Sequence, residues 1–195
     1  MNLVLEMLRE ATDKDLMMTR FDCHVKGLHS IVLKNDNGKL TRCFIAERNH
    51  EMYLNINSRL HLPLGIHDHR YDLRLRQVTG EALNILYKEN SSLCNVMKYK
   101  YESEIKGGVG AIYDGISGVE VCGVNKFTDI IMSSDELHTV YVPKNQESSW
   151  LVQEGHEQQD VTNLFQNGNS KCSKSRTPVS IAEVKDFVHK FYGVN

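Results

Sequence analysis

Short apolar segments, separated by clusters of turn-forming residues, recur along most of this chain. Asn37-Gly38 lies between two of them, and Asn-Gly between apolar runs is the strongest local signal for a β-hairpin. We therefore predict a hairpin over residues 30–46. Many short strands at this spacing are typical of an antiparallel sandwich or barrel and not of βαβ units. The other predicted strands are 52–56, two within 66–87 that meet at Thr79-Gly80-Glu81, 96–101, 110–113, 118–124, 127–132, 138–142 and 149–152.

Amphipathic helices are predicted at both ends of the chain. Residues 2–11 carry apolar side chains at helical spacing. Near the other end, Ser180 and Glu183 form a capping-box pattern, and an apolar stripe follows them. Residues 154–179 are rich in Gln, Asn, Ser and Lys, which predicts a long surface excursion. We expect one domain over residues 1–195, with an all-β core at about 28–153 and a loop and helix at 154–195.

The composition limits the classes of partner. A net charge of -2 over 195 residues provides no electrostatic basis for binding nucleic acid or an anionic membrane. The five cysteines are odd in number, scattered and without a Cys-x-x-Cys pair, which argues against a disulfide framework and a zinc ribbon. The first residues lack the basic and apolar regions of a signal peptide, and no apolar stretch has the length of a membrane span. We expect a cytoplasmic protein with no membrane partner.

Two histidines stand two residues apart in Ile66-His67-Asp68-His69. On a strand, such residues point to the same face, because side chains alternate with a period of two. His138, in a later predicted strand, can supply a third imidazole. A site with three such ligands on one side leaves open positions on a metal. By the same alternation, Asp68 is expected to face away and not to be a ligand.

The first histidine segment resembles the first motif of the cupin superfamily, in which two histidines separated by one residue are followed by a glycine, here Gly80. Leu73 stands where most cupins have an acidic ligand. A set of three histidines without a carboxylate resembles the thiol dioxygenases, typified by cysteine dioxygenase. Leu137-His138-Thr139-Val140 is similar to the neighbourhood of that family's later ligand. The resemblance covers roughly residues 44–152.

The resemblance implies a cupin-like β-barrel or jelly roll with the terminal helices packed outside. It also implies Fe(II) held by His67, His69 and His138, and oxidation of a small, cysteine-like thiol by O2. In that family an arginine binds the substrate carboxylate. Arg48 falls on a plausible counterpart, and a solvated turn residue is the other interpretation of it.

The family's Ser-His-Tyr relay, which helps to orient the substrate, would fall in residues 151–155, where none of its three members is present. Tyr141 and Tyr71 are the catalytic candidates that could substitute for it in space, together with His156. The missing relay keeps one alternative open, a non-catalytic cupin that binds a small ligand or a metal. A second alternative is a β-rich interaction module whose histidines are incidental. The oligomeric state stays open.

Overall fold

A computed structural model describes residues 2–52, 64–102, 110–166 and 175–194, and in these residues the chain forms twelve strands and three helices. The helices are α1 (Leu3–Glu10), α2 (Asp13–Leu16) and α3 (Ile181–Phe191). The strands are β1 (Leu28–Asp36), β2 (Lys39–Ala46), β3 (Ile66–His67), β4 (Tyr71–Thr79), β5 (Leu83–Glu89), β6 (Val96–Glu102), β7 (Gly110–Ser117), β8 (Val119–Lys126), β9 (Asp129–Met132), β10 (Leu137–Tyr141), β11 (Ser148–Glu157) and β12 (Val161–Gln166). Within the same residues, no helix has the length and apolar character needed to cross a membrane.

The strands pair in two antiparallel sheets. The five-stranded sheet has the order β1-β2-β11-β4-β9, and the seven-stranded sheet has the order β7-β6-β12-β3-β10-β5-β8. The mostly-β architecture predicted from the short apolar segments is therefore confirmed. The predicted strand at 52–56 lies, beyond Met52, outside the described residues.

The predicted hairpin is formed by β1 and β2, in which Asp36 pairs with Lys39. The two loop residues, Asn37 and Gly38, have φ values of 54° and 93°. Positive φ at both positions is what the right-handed twist of the flanking strands requires of a two-residue turn. The N–H of Gly38 also donates a 2.8 Å hydrogen bond to Oδ1 of Asn35. Asn-Gly therefore sets the register of this hairpin.

Both predicted terminal helices are present and capped by side chains. Asn2 Oδ1 accepts the N–H of Val4 at the start of α1, and Ser180 Oγ accepts the N–H of Glu183 at the start of α3. The Glu183 carboxylate accepts the N–H of Val179, one residue before the position that the capping box predicts. The helices cover the outer face of the five-stranded sheet through an apolar cluster that includes Val4, Leu8, Leu16, Ile31, Leu33, Cys43, Ile45, Leu151, Val184 and Val188.

The inner face of the five-stranded sheet carries the second apolar cluster. Along β2, Cys43 and Ile45 point outward to the helices, whereas Phe44 and Ala46 point inward. Phe44 stacks on Trp150 of β11, with ring centroids 5.7 Å apart. Trp150 is only 3% exposed. Period-two alternation thus divides the sheet into a helix-covered side and a side that faces the seven-stranded sheet.

The predicted surface excursion over residues 154–179 is wrong for residues 154–166. Strand β11 continues through Glu157, and β12 lies between β6 and β3 in the seven-stranded sheet. The prediction failed because β12 carries polar side chains, including Thr162 and Asn163, on the interior cavity, so the strand shows no apolar alternation. Residues 167–174 of the segment lie outside the described residues.

Candidate metal centre

The three predicted histidines meet in the space between the two sheets. Strand β3 contains only Ile66 and His67, and His67 lies directly opposite His138 of β10. Directly opposed residues on neighbouring antiparallel strands project to the same face of a sheet. The register between β3 and β10 therefore brings these two imidazoles together.

His69 reaches the same place by a different route from the one predicted. It follows β3, where the chain passes from the seven-stranded sheet to β4 of the five-stranded sheet. The N–H of His69 donates to the carbonyl oxygen of Ser134 at 2.9 Å. The side chain of Gln159 donates to the carbonyl oxygen of His69 at 2.6 Å. These two hydrogen bonds, and not alternation along one strand, position the second imidazole.

The spacing of the imidazoles suits a divalent metal. One ring nitrogen from each of His67, His69 and His138 lies within 4.8 Å of the others. The ring centroids are 4.8 to 4.9 Å apart. Nitrogen ligands at about 2.0–2.1 Å from a metal lie about 3–3.5 Å from one another. The nitrogen separations in the group run from 2.8 Å, between Nε2 of His69 and Nε2 of His138, to at most 4.8 Å. They bracket the ideal value, so the group is compatible with a bound divalent cation.

Asn84 orients the ring of His138. Its side-chain oxygen lies 2.6 Å from Nδ1 of His138, and Asn84 is 1% exposed. Because an amide oxygen only accepts, Nδ1 carries the proton and Nε2 presents its lone pair to the other two histidines. A buried partner behind a ligand imidazole is the usual arrangement around metals in proteins.

Asp68, expected to face away from the interior, is instead 5% exposed and lines the cavity. Its carboxylate accepts the N–H and the side-chain amide of Asn163 in β12, both at 2.6 Å. The prediction failed because the chain leaves β3 before Asp68, and strand alternation no longer applies there. Asp68 ties the segment between the two histidines to β12. Its oxygens are not part of the three-histidine group.

Burial keeps all three histidines neutral. It lowers the pKa of His67 to about 4, with a further contribution from the charge of His24. Burial, followed by the neighbouring histidines, holds the pKa of His69 well below its ordinary value. Burial, followed by the charge of His67, does the same for His138. Since only a neutral imidazole has a lone pair to give, the group is ready to bind a cation at neutral pH.

The three histidines open onto a cavity of about 550 Å³ between the sheets. A cavity of this volume is large enough for a small organic ligand. Both sheets contribute to its lining, with mostly apolar side chains from the five-stranded sheet and polar groups from β3, β10 and β12. The centre therefore lies where an organic molecule could enter its coordination sphere.

Two residues near the centre were missed in the sequence. His24 lines the cavity from a tight loop and has a φ of 71°. Arg42 of β2 lies opposite Val152, which lines the cavity, and it forms an ion pair with the buried Glu154. The sequence did contain a signal for Arg42. It lies two residues before Phe44 in β2, so period-two alternation assigns both side chains to the inner face of the sheet. No local pattern distinguished His24.

Three other predicted site residues do not join the group. Arg48 is 74% exposed, and its Nε lies 3.8 Å from Glu147. Tyr141 is three residues beyond His138 in β10, so it projects to the opposite face. Tyr71 packs against the inner apolar cluster, but it is absent from the described lining of the cavity. The charge at Arg48 is satisfied by solvent and a surface carboxylate, which explains its outward position.

Comparison with known proteins adds no family to this description. No protein-family model matches the chain, and no curated protein has a significantly similar sequence. The geometry of the three histidines and their cavity is therefore the basis for assigning a function.

Proposed function

We propose that this chain is a cupin-like, metal-dependent oxidoreductase that oxidises a small thiol with O2, using Fe(II) held by His67, His69 and His138. The observation that carries the proposal is the convergence of three neutral imidazoles, one buried and two half-buried, on a cavity between the sheets. Two facing antiparallel sheets with helices outside one of them are consistent with a cupin jelly roll. Closure of the sheets into a barrel is part of the proposal.

The donor set explains the choice of substrate. Three neutral ligands leave the double positive charge of the metal uncompensated, which favours an anionic thiolate over a neutral group. When bound, Fe(II) would supply Lewis acidity that lowers the pKa of a thiol and open positions for dioxygen. In the balanced reaction, RS⁻ and O2 give RSO2⁻, and sulfur provides the four electrons that O2 accepts. No further reductant is needed.

The protein groups around the centre have separate tasks in this proposal. Asn84 holds His138 in the tautomer that binds metal. Asp68 fixes the segment between the other two ligands through Asn163. The apolar walls would exclude water once a ligand fills the cavity, which would strengthen electrostatic interactions within the site. Arg48 and Tyr141 have no task at the centre, because both point away from it.

A non-catalytic cupin that binds a metal or small ligand is the second candidate. The observation that favours it is the composition of residues 151–155, which contain none of the relay residues expected of a thiol dioxygenase. In that case the centre binds metal and ligand without consuming oxygen.

The proposal is tested by metal analysis and oxygen uptake on the same preparations. The wild type is reconstituted with Fe(II) under anaerobic conditions beside His67→Ala, His138→Ala and the control His156→Ala. His156 is an exposed histidine outside the cluster. We expect one iron per chain in the wild type and control, and loss of iron in the two ligand variants. A panel of small thiols should then support oxygen uptake by the wild type and the His156→Ala control only.

Iron without oxygen uptake across the thiol panel would favour the non-catalytic candidate. Failure of the wild type to retain any divalent metal would exclude the oxidoreductase and leave a cupin-like module that binds a small ligand.

A further inference from the structure

The cavity beside the three histidines has a hydrocarbon wall. The five-stranded sheet supplies Phe44, Leu73, Leu75, Trp150 and Val152 to it. Val140 and Leu164 of the seven-stranded sheet and Phe127 continue this apolar surface. Burial of a ligand's apolar surface against such a wall is favourable by roughly 25 cal/mol per Å². The wall therefore selects for a ligand that carries apolar surface of its own.

The polar groups are gathered on the other side. His67, His138, Thr162 and Asn163 come from three adjacent strands of the seven-stranded sheet, β12, β3 and β10. Asp68 lies beside them, and each of its carboxylate oxygens accepts a hydrogen bond from Asn163. A ligand that fits this cavity therefore needs one polar head at the histidines and an apolar body against the opposite wall.

No lysine or arginine is present among the described residues that line the cavity. Arg42, whose charge acts on His69, is already paired with Glu154. A buried carboxylate without a charged partner is strongly unfavourable. These surroundings disfavour the carboxylate group of an amino-acid thiol such as cysteine.

We propose that the substrate of this centre is a thiol with an uncharged, ring-sized apolar body, bound with sulfur toward the histidines and the body against Phe44, Trp150 and Val152. This inference rests on the proposed function for the identity of the head group. The apolar subsite itself depends only on the cavity. With this subsite, the expected substrate changes from a cysteine-like zwitterion to a hydrophobic thiol.

The chain has a built-in reporter, because Trp150 is its single tryptophan and lies in the apolar wall. Tryptophan emission is titrated with 2-phenylethanethiol, with ethylbenzene as the matched molecule without sulfur, and with cysteine. The protein is used metal-free and after anaerobic loading with Fe(II). We expect 2-phenylethanethiol to bind at least about tenfold more tightly than cysteine in both states.

A cavity-filling variant localises the binding. Val140→Phe places extra bulk in the cavity, and we expect it to weaken 2-phenylethanethiol and ethylbenzene by about fivefold or more. Val124→Phe, at a valine that is 56% exposed on β8, is the matched control and should stay within about twofold of wild type. Thermal unfolding of both variants checks that they fold. If Val140→Phe does not fold, displacement of 2-phenylethanethiol by ethylbenzene in the wild type decides whether the apolar body provides the affinity.

The outcomes separate this inference from the proposed function. Ethylbenzene binding to metal-free protein, lost in Val140→Phe, supports the apolar subsite even if no oxygen is ever consumed. Cysteine binding as tightly as 2-phenylethanethiol, with oxygen uptake on cysteine, overturns the apolar subsite and leaves the proposed function standing. Undiminished binding of ethylbenzene to Val140→Phe also overturns it, since the body would then lie elsewhere.

Discussion

The Nε2 atom of His69 lies 2.8 Å from the Nε2 atom of His138. The side-chain oxygen of Asn84 accepts a hydrogen bond from Nδ1–H of His138, so Nε2 of His138 carries a lone pair. Two lone pairs at this distance repel, unless His69 provides a proton or a cation lies beside them. The separation fits a hydrogen bond in which Nε2 of His69 donates to Nε2 of His138, and a bound metal would take the place of that proton.

Removal of the Asn84 side chain should weaken metal binding without removing a ligand. In Asn84→Ala the ring of His138 loses the partner that fixes its tautomer, and we expect Zn²⁺ affinity to fall by about 10–100-fold in calorimetric titration. Gln77→Ala is the control, because this amide bonds Thr79, Ser148 and Ser149 and not the histidines. An equal loss in both variants would mean that general destabilisation, and not orientation of the ring, explains the effect.

The free energy of unfolding of the metal-free protein should decrease as the pH is lowered from about 6.5 to about 4. The unfolded histidines titrate near 6.5, whereas the pKa of His67 in the folded protein is about 4 and those of His69 and His138 are also lowered by burial. Between these values the unfolded state binds more protons, so the contribution of the neutral histidines is complete above pH 6.5 and declines toward pH 4.

Urea unfolding across this range measures the decline, which reaches at most about 1.4 kcal/mol per pH unit for each histidine. His67→Gln should reduce the slope of the unfolding free energy against pH by the contribution of one histidine. A wild-type profile without slope between pH 6.5 and pH 4 would contradict the prediction.

Asp68 should matter for stability through the bonds that it accepts and not through its charge. Asp68→Ala removes the acceptor of the half-buried N–H of Asn163, which costs about 1 kcal/mol or more. Asp68→Asn retains one acceptor oxygen, so we expect a smaller loss. Urea unfolding of both variants compares them, and equal losses would assign the effect to the missing negative charge instead.

Gly80 should tolerate no side chain. Its φ is +67°, and an added Cβ would overlap the carbonyl oxygen of Glu147. Gly38 also has a positive φ, +93°, but an added Cβ there meets nothing within 4 Å. Gly38→Ala should cost about 1–2 kcal/mol for the backbone conformation alone, and Gly80→Ala clearly more. Equal unfolding free energies for the two variants would show that the overlap is relieved without cost.

Local patterns predicted much of the fold. Asn37-Gly38 identified the first hairpin, because only a few dipeptides adopt positive φ at both positions. The spacing of apolar residues identified α1 and α3, because their inner faces pack on one sheet. Strand β12 was missed because most of its side chains that line the cavity are polar. A strand that lines an interior cavity with polar groups looks like a loop in the sequence.

At the site, the His-x-His spacing and the later His138 were sufficient to predict that three imidazoles meet. The physical reason was only half correct, since His69 reaches the group across a passage between sheets. Arg48 was chosen from its position relative to the motif, and position along the chain does not determine which way a loop side chain points. Arg42 and Asp68 acquire their surroundings from strands more than 90 residues away in sequence, which no local pattern reports.

The bond between Asp68 and Asn163 joins residues 95 positions apart. Strand β12 also pairs with β3, placing Leu164 opposite His67. A nascent chain that has emerged from the ribosome only as far as β11 would thus contain all three histidines and still lack the strand that holds two of them in place. The arrangement of the three-histidine group therefore depends on a strand that is complete only after synthesis has passed residue 166.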